Sequence, residues 1–180
     1  MSDPLQPEEL EDPLAPASGA PAPTIDAARY RRVLGYFATG VTVVTGVEGD
    51  QPLGLSVNSF TSVSLDPPLV AFCAARSSSS WARMRASGTF CVNILSDDQE
   101  EVCRVFAGRG GDKFRGIGWR ASETGAPIIA GALAWIDCAV EAAYEAGDHH
   151  IVVGRVLDLD VARDGRPLVF FRGGYGRFEP

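Results

Sequence analysis

The chain has 180 residues, of which 46% are hydrophobic and 22% are charged, and its formal net charge is −7 at pH 7. Five of the 23 acidic residues and none of the 16 basic residues lie in residues 1–24, so most of the acidic excess belongs to the N-terminus. The nearly neutral remainder disfavours a nucleic-acid surface and favours a small-molecule or protein partner, and the length suits one domain with its own core.

The sequence shows no sign of export or of a zinc site. It has no apolar run of about 18 residues, and its start lacks the basic and apolar segments of a signal peptide, which predicts a cytoplasmic protein. The only histidines are His149 and His150, and no Cys-x-x-Cys pair occurs. We therefore expect no metal, and free thiols at the four cysteines.

The N-terminal region divides into a tail and a first helix. Residues 1–24 combine six prolines and five acidic residues with Ala, Ser and Gly, a composition that predicts a disordered tail in front of one domain over residues 25–180. The pattern "TIDAARYRRVLGYFATG" then predicts a helix over residues 27–38, capped by Thr24 or Asp26 and ended by Gly40.

The middle of the chain alternates extended runs with short helices. The runs "VTVVTGV", "LGLSVNSF", "PPLVAFCAA" and "FCVNIL" are rich in β-branched residues and predict antiparallel strands. A short helix is expected at "SSSWARMRASG". A second one follows at "SDDQEEVCRVFAG", where Ser96 and Gln99 have capping-box spacing. Residues 109–131 read as a loop with Phe114 and Trp119 as aromatic anchors.

The last third carries the strongest β signal. The runs "ALAWIDCAVEAAY", "HHIVVGRVLDLDVA" and "LVFFRGGYGRF" are separated by turns at "EAGD" and "RDGRP". Two of these strands are longer than most, as a strongly coiled or closed sheet requires. The expected fold is therefore mainly β, an antiparallel barrel with a few short helices.

One polar stretch raises the question of function. "SVNSFTSVS", over residues 56–64, holds several hydroxyl side chains and one amide but no charge, between two apolar runs. It fits either a strand with a polar face or a cradle for a large, flat ligand that needs many hydrogen bonds. The chain has no G-x-G-x-x-G, no phosphate-binding G-x-x-x-x-G-K-[ST] and no G-x-S-x-G, so a nucleotide would need another kind of site and a serine hydrolase is disfavoured.

Four segments taken in order resemble a known family. They are "FATGVTVVT", "GLSVNSFTSVSLDPPLV" with "RSSSSW" and "FCVNIL" behind it, "GDHHIVVGRV", and "PLVFFRGGY". The chain resembles the flavin reductase-like family, FMN-binding split barrels that serve as the reductase component of two-component flavin-dependent monooxygenases. The resemblance implies an antiparallel split β-barrel, a homodimer, NADH or NADPH as hydride donor, FAD or FMN as acceptor, and a partner monooxygenase.

The resemblance also implies a set of site residues. His149, in the "GDH" segment, is the expected nicotinamide-site residue and the one catalytic candidate. Arg76 and Ser78 are expected on the phosphate side of the flavin. The full set of expected cofactor-binding positions is Thr39, Gly40, Val41, Ser56, Asn58, Ser59, Phe60, Thr61, Ser62, Arg76, Ser78, Gly147, Asp148, His149, Arg172 and Tyr175.

Several alternatives stay open at this stage. The chain would also suit a flavoprotein that retains its flavin to reduce another substrate, or a non-catalytic flavin-binding module. The "GDH" segment by itself reads as an ordinary turn, and Arg172 and Tyr175 fit an end strand equally well. The sequence does not decide between FAD and FMN or between NADH and NADPH.

Overall fold

The computed structural model describes residues 24–179, so the predicted tail lies, apart from Thr24, outside the described residues. The helices are α1 (Ala27–Leu34), α2 (Ser79–Met84) and α3 (Glu100–Ala107). The strands are β1 (Thr39–Gly40), β2 (Thr42–Glu48), β3 (Gln51–Val57), β4 (Thr61–Leu65), β5 (Pro68–Ala75), β6 (Thr89–Ile94), β7 (Trp119–Ala121), β8 (Pro127–Ile129), β9 (Ala134–Ala146), β10 (His149–Val161), β11 (Leu168–Phe171) and β12 (Gly174–Arg177).

Seven antiparallel strands form the main sheet, in the order β3-β2-β6-β9-β10-β5-β4. Its two edge strands, β3 and β4, are consecutive in the chain and are joined by residues 58–60 only. Among residues 24–179 no hydrogen-bonded ladder pairs β3 with β4, so the barrel is split along this line. The mainly β, antiparallel fold with few helices is as predicted.

The long hairpin of β9 and β10 dominates the sheet, since each strand has 13 residues. Its turn at Gly147 and Asp148 is the one predicted, and Gly147 adopts φ 61°. The strand ladder slips between Val153 and Gly154, and a bulge of this kind increases the local twist of the sheet. This twist helps the sheet to curl around its core.

The C-terminal stretch was predicted as one strand and is instead a hairpin. Arg172 and Gly173 both have positive φ, 52° and 81°, and reverse the chain between β11 and β12. This hairpin pairs with β1, Thr39 opposite Phe170, in a separate three-stranded sheet. The prediction was wrong because positive φ at a non-glycine residue leaves little trace in the sequence.

The first helix is shorter than predicted. It begins at Ala27 behind the Asp26 cap, whose carboxylate accepts the Arg29 N–H at 2.7 Å, but it ends at Leu34. The Gly35 carbonyl accepts the Arg172 N–H at 2.8 Å instead of continuing the helix, and Gly40 lies in β1. A contact distant in sequence therefore ends this helix, which local pattern cannot predict.

The strand predicted through Phe60 ends at Val57. Beyond it, the Ser59 hydroxyl accepts the Cys73 N–H at 2.9 Å and donates to the Cys73 carbonyl at 3.3 Å. A side chain thus replaces the backbone ladder where the chain crosses from the β2 side to the β5 side. β4 follows and pairs with β5.

The region predicted as a loop over residues 109–131 contains the hairpin of β7 and β8. The buried Asn93 amide holds it, because it accepts the Ile129 N–H at 2.7 Å and donates to the Pro127 carbonyl at 3.2 Å. The aromatic anchors behave as expected: Phe114 is buried and Trp119 packs edge-on against it, with 5.9 Å between ring centroids.

The core has two main parts, on opposite faces of β2. Val44 lies in the barrel interior with Phe72, Trp81 and Phe90, while Val43 packs outside it. The outer cluster joins β2 to α3 and to β11, with Cys103, Phe106 and Leu168 among its buried members. Helix α3 is thereby fixed against the barrel wall, where it borders the site described next. None of the helices in residues 24–179 has the length and apolar character needed to cross a membrane.

Candidate functional site

A cavity of about 400 Å³, the central cavity, opens where β3 ends. Its walls come from the ends of β3 and β5, the start of α2, the end of α3 and the start of β10. Hydroxyl and amide groups predominate among its polar lining residues, which are Ser56, Asn58, Ser59, Ser77, Ser78, Ser79, Ser80, Arg109, Lys113 and His149. Neutral hydrogen-bonding groups at one place suit a ligand with many acceptors and donors.

Two hollows continue the central cavity towards the three-stranded sheet. One, of about 280 Å³, shares Ser56 and Asn58 with the central cavity and adds Val41 and Tyr175. The other, of about 550 Å³, shares Asn58 and Ser59 and adds Thr39 with apolar residues of α1 and β11. The Thr39 hydroxyl is buried and has no hydrogen-bond partner within residues 24–179, which makes it a candidate for contact with a ligand.

A fourth cavity, the lateral cavity, lies at the opposite end and has a volume of about 440 Å³. It shares Ser79, Ser80 and Lys113 with the central cavity. The four spaces therefore form one cleft, from the lateral cavity past the serines of residues 77–80 and past Asn58 to the three-stranded sheet.

Ser56 belongs to a short chain of polar groups on the wall of the cleft. Its hydroxyl lies 3.0 Å from the Cys103 thiol, which lies 3.2 Å from the Tyr175 hydroxyl. Burial, together with the hydrogen bond between the Tyr175 hydroxyl and Cys103, raises the pKa of Tyr175 to about 12. Tyr175 therefore stays neutral at physiological pH, as a hydrogen-bonding group and not as a base.

His149 stands at the start of β10 beside the carboxylate that precedes it. Its Nδ1 lies 2.7 Å from Asp148 Oδ1, and the hydrogen bond to His149 lowers the pKa of Asp148. A carboxylate so placed favours the proton on Nδ1 and leaves Nε2 for another partner. The Asp148 carbonyl also accepts the Arg76 N–H at 2.9 Å, which ties this turn to the end of β5.

Two groups define the end of the cleft near α2. The Ser78 hydroxyl caps α2 by accepting the Trp81 N–H at 3.2 Å. The Lys113 ammonium donates to the carbonyls of Gly54 and Phe106 at 3.2 and 2.9 Å, and burial lowers its pKa. Lys113 supplies positive charge between the central and lateral cavities.

The structure brings together eight of the predicted site residues. Five line the central cavity, namely Ser56, Asn58, Ser59, Ser78 and His149, and three line the hollows that continue it, namely Thr39, Val41 and Tyr175. They come from the four strands β1, β3, β10 and β12 and from the loops beside them. Their meeting in one cleft is the main agreement between the predicted site and the fold.

The other predicted positions lie outside the walls of these cavities. Phe60 packs against the barrel core, and Thr61 and Ser62 are exposed on the edge strand β4. Arg76 makes an exposed ion pair with Glu145 at 3.6 Å. The remaining ones are Gly40 on β1, Gly147 and Asp148 in the turn, and Arg172, whose guanidinium lies 4.9 Å from the centroid of the Tyr36 ring. Their roles remain predictions.

The structure adds residues that sequence reasoning did not select. Ser77, Ser79 and Ser80 line the central cavity together with Ser78, so the whole serine run faces the cleft and not one member alone. Lys113 and Arg109 reach it from the segment predicted as a plain loop. Cys103 joins Ser56 to Tyr175 from α3. The single lysine of the chain was a visible signal for Lys113, whereas nothing local pointed to Cys103.

The fold and the cleft together define a class of protein: a split antiparallel barrel with a site for an elongated ligand that is phosphorylated at one end. A flavin nucleotide fits these residues, because its ring edge and ribityl chain need neutral hydrogen bonds and its phosphate needs the hydroxyls and cations near α2. The Thr39 hydroxyl lies at the opposite end of the cleft from the hydroxyls and cations near α2.

Comparison with known proteins gives the family directly. The family model for the flavin reductase like domain matches residues 34–179. The chain is 47% identical over 159 residues to the reductase subunit HsaB of a flavin-dependent monooxygenase from Rhodococcus jostii, covering 88% of this chain and 82% of that protein. This chain therefore belongs to the flavin reductase-like family, as the sequence motifs predicted.

Other relatives differ in the flavin that they are named for. An NADH-dependent FMN reductase, SmoA of Agrobacterium fabrum, is 46% identical and is covered over 84% of its length by 83% of this chain. An NADH-dependent FAD reductase of Streptomyces globisporus is 42% identical, with 93% of this chain and 96% of that protein covered.

The fold agrees with a solved member of the same group. Nitrilotriacetate monooxygenase component B from Mycobacterium thermoresistibile superimposes with a TM-score of 0.82 at 50% sequence identity. The superposition covers 85% of this chain and 87% of that one. The predicted split-barrel architecture is thereby confirmed.

Proposed function

We propose that this protein is an NAD(P)H-dependent flavin reductase that reduces free FAD or FMN and supplies the reduced flavin to a partner monooxygenase. The observation that carries the proposal is the continuous cleft, in which Ser56, Asn58, Ser78 and His149 meet at the end of β3. Family membership and relatives named as NADH-dependent reductases of FMN and FAD support the same activity.

The residues of the cleft bind and orient the two nucleotides. The serines of residues 77–80 and Lys113 hold the phosphate end of the flavin, and Ser56 and Asn58 hydrogen-bond its ribityl chain and ring edge. Thr39 and Val41 contact the ring at the far end of the cleft. Hydride transfer between the nicotinamide and flavin rings is chemistry that the bound nucleotides supply, and it needs no acid or nucleophile from the protein.

His149 and Asp148 position the nicotinamide nucleotide. Asp148 fixes the imidazole through the 2.7 Å contact at Nδ1, so that Nε2 faces a constant partner. His149 lines the central cavity, close to where the ring of the flavin meets its donor. The role is one of orientation, and removal of the imidazole should affect the nicotinamide nucleotide more than the flavin.

The exposed apolar face of α1 supports a homodimer. No residue of α1 is buried, and Tyr30, Val33, Leu34 and Phe37 are each more than half exposed. Apolar side chains of this density on one face are typical of a subunit interface. The hollow that contains Thr39 also contains Leu34 and Phe37, so a second copy of this chain seated on α1 would complete a wall of the cleft.

The activity indicates the partner protein and the cellular compartment. A reductase that releases reduced flavin needs an oxygenase to consume it, and the relative HsaB is itself a reductase subunit of a flavin-dependent monooxygenase. The four cysteines are free thiols, which suits the reducing cytoplasm, and an enzyme that consumes NAD(P)H suits the same compartment.

Steady-state kinetics test the proposal. Purified protein should oxidise NADH or NADPH when free FAD or FMN is present. The variant His149→Ala should raise the KM for the nicotinamide nucleotide, or lower kcat, by about tenfold, while the Kd of oxidised flavin changes less than twofold.

The matched control is Asp158→Ala, which removes an exposed carboxylate from the far part of the same strand. This change should leave both parameters as in the wild type. Properly folded protein that oxidises neither NADH nor NADPH with any free flavin would contradict the proposal. Tight retention of flavin through purification would favour the alternative of a flavoprotein that acts on another substrate.

A further inference from the structure

The lateral cavity contains none of the residues predicted for flavin binding. Its walls are the start of β3 at Gln51–Gly54, the α2 residues Ser79, Ser80 and Arg83, and the segment Gly110–Phe114. Its volume of about 440 Å³ equals that of the central cavity to within a tenth and lies in the range of small-molecule sites. The lateral cavity is therefore large enough for a nucleotide-sized group beside the ligand of the central cavity.

The two cavities meet at Ser79, Ser80 and Lys113. The proposed function places the flavin phosphate among the serines of residues 77–80, so a group joined to that phosphate would extend directly into the lateral cavity. We propose that the lateral cavity binds the adenylate half of FAD, and that the protein prefers FAD to FMN. This inference rests on the proposed function and names its flavin substrate.

Two cations face the path of a pyrophosphate. Lys113 uses two of its three donors on backbone carbonyls and keeps the third. Arg83 pairs with Glu48, which accepts from its Nε at 2.8 Å and lies 2.7 Å from its Nη2. The guanidinium retains further N–H groups for an anion, and its planar fork matches the oxygens of a phosphate as well as those of a carboxylate. Glu48 itself does not line the cavity.

The remaining walls suit a nucleoside. Pro52, Leu53 and Phe114 supply apolar surface for a base, and Asp112 supplies a carboxylate that can accept from ribose hydroxyls. Gly110 and Gly111 adopt φ 71° and 73°, and a Cβ at either position would meet nothing within 4 Å. The loop thus leaves its backbone open to the cavity.

The nicotinamide nucleotide carries the same adenylate group and is the rival occupant. Position decides between them, because the lateral cavity adjoins the phosphate end of the flavin site, whereas His149 lines the central cavity only. A defect confined to the lateral cavity should therefore affect FAD and leave both FMN and NADH unaffected.

Direct binding separates these possibilities. Isothermal titration of oxidised FAD and FMN should give the wild type a lower Kd for FAD. Arg83→Ala removes the cation, and Gln51→Trp fills the cavity from an exposed rim position. Each should weaken FAD binding by about three- to tenfold, the size expected for one charge-assisted hydrogen bond near the surface, with the Kd of FMN unchanged.

Two control variants show whether the effect comes from the Arg83 guanidinium itself. Glu48→Gln breaks the same ion pair but keeps the guanidinium, and Arg85→Ala removes a neighbouring exposed cation that does not line the cavity. Both should keep the wild-type ratio of the two Kd values, and thermal unfolding checks that every variant is folded.

The inference would be overturned if either Arg83→Ala or Gln51→Trp left the ratio of the Kd values for FAD and FMN unchanged. This includes the case in which both Kd values rise by the same factor. A raised KM for NADH with unchanged FAD binding would assign the cavity to the nicotinamide nucleotide and also overturn it. These outcomes leave the proposed function intact, since it fails only when no flavin supports oxidation of NADH or NADPH.

Discussion

At the scale of single residues, Asn58 and Ser59 are neighbours in the polar stretch but have different tasks. Asn58 lines the central cavity and both hollows beyond it, whereas both hydrogen-bonding functions of the Ser59 hydroxyl are engaged with the Cys73 backbone. A hydroxyl used in this way holds the edge of the barrel and has less to offer to a ligand.

Substitution of Asn58 and of Ser59 should therefore have opposite effects on flavin binding and on stability. Asn58→Ala should weaken flavin binding by about three- to tenfold, because one or two hydrogen bonds to the ligand are lost, and should leave the free energy of unfolding unchanged. Ser59→Ala should lower the free energy of unfolding by about 1 kcal/mol, with a smaller effect on flavin Kd. Denaturant titration and flavin fluorescence measure the two quantities, and a reversed pattern would show that the roles are exchanged.

Tyr175 offers a prediction about pH. Burial and the hydrogen bond between its hydroxyl and the Cys103 sulfur raise its pKa to about 12, so Cys103→Ala should bring the pKa down towards the ordinary value of about 10. Absorbance titration of tyrosinate measures the shift, with Cys73→Ala as the control thiol and Tyr175→Phe to identify the signal. No change in the pKa after Cys103→Ala would mean that burial acts alone.

The same shift links Tyr175 to stability at high pH. Because the pKa is raised in the folded state, the stabilisation from the neutral phenol is complete below pH 10 and is lost as the pH rises through about 12. Between pH 10 and about pH 12, the free energy of unfolding of Tyr175→Phe should therefore fall less steeply with rising pH than that of the wild type. Chemical denaturation at a series of alkaline pH values measures this, and equal slopes would contradict it.

At the scale of elements, Gly154 lets the long hairpin pack on the core. A Cβ at this position of β10 would overlap the ring of the fully buried Phe90 and would lie 3.3 Å from Cys138 Cβ. Gly154→Ala should lower the free energy of unfolding by about 2 kcal/mol, since a buried aromatic ring cannot move aside freely. Gly176→Ala, where a Cβ meets nothing within 4 Å, is the matched control, and equal effects of both changes would refute this reading.

The elements also show what the sequence can predict. The strands around "VTVVTGV" and "HHIVVGRVLDLDVA" and the helix capped by Ser78 follow from local period and capping chemistry. The end of α1 and the hairpin of β7 and β8 do not, because the Arg172 N–H and the Asn93 amide fix them from distant parts of the chain.

The same limit applies to the candidate site. Ser56, Asn58, Ser78 and His149 were found because their motifs recur in a family, and the fold gathers all four into one cavity. Cys103 and Lys113 reach this cleft only through tertiary packing, so no local spacing could place either of them in the site, although Lys113 stands out as the single lysine of the chain. Thr61 and Ser62 carry the same kind of side chain in the same stretch, but the change of direction after Ser59 places them on the exposed edge strand.

At the scale of the whole molecule, a charged substitution on the exposed apolar face of α1 should dissociate the proposed homodimer. Val33→Asp should convert the proposed homodimer into monomers, because a buried, unpaired carboxylate opposes association. Sedimentation analysis measures the mass, with Arg32→Ala in the same helical turn as the control. A wild-type protein that sediments as a monomer at all concentrations would contradict the dimer.

A further consequence connects assembly with the site. The hollow that contains Thr39 is bordered by Leu34 and Phe37, so the monomeric variant should bind flavin more weakly than the dimer although its own cleft residues are intact. Flavin titration of Val33→Asp measures this.

We expect one cleft, from the serines near α2 past Asn58 to Thr39, to hold the flavin in a defined direction. A crystal structure of the protein with oxidised flavin bound tests it most directly. We expect the phosphate beside Ser77–Ser80 and Lys113, and the ring beside Asn58 and Thr39. Flavin bound in the reverse direction, or outside this cleft, would contradict the account.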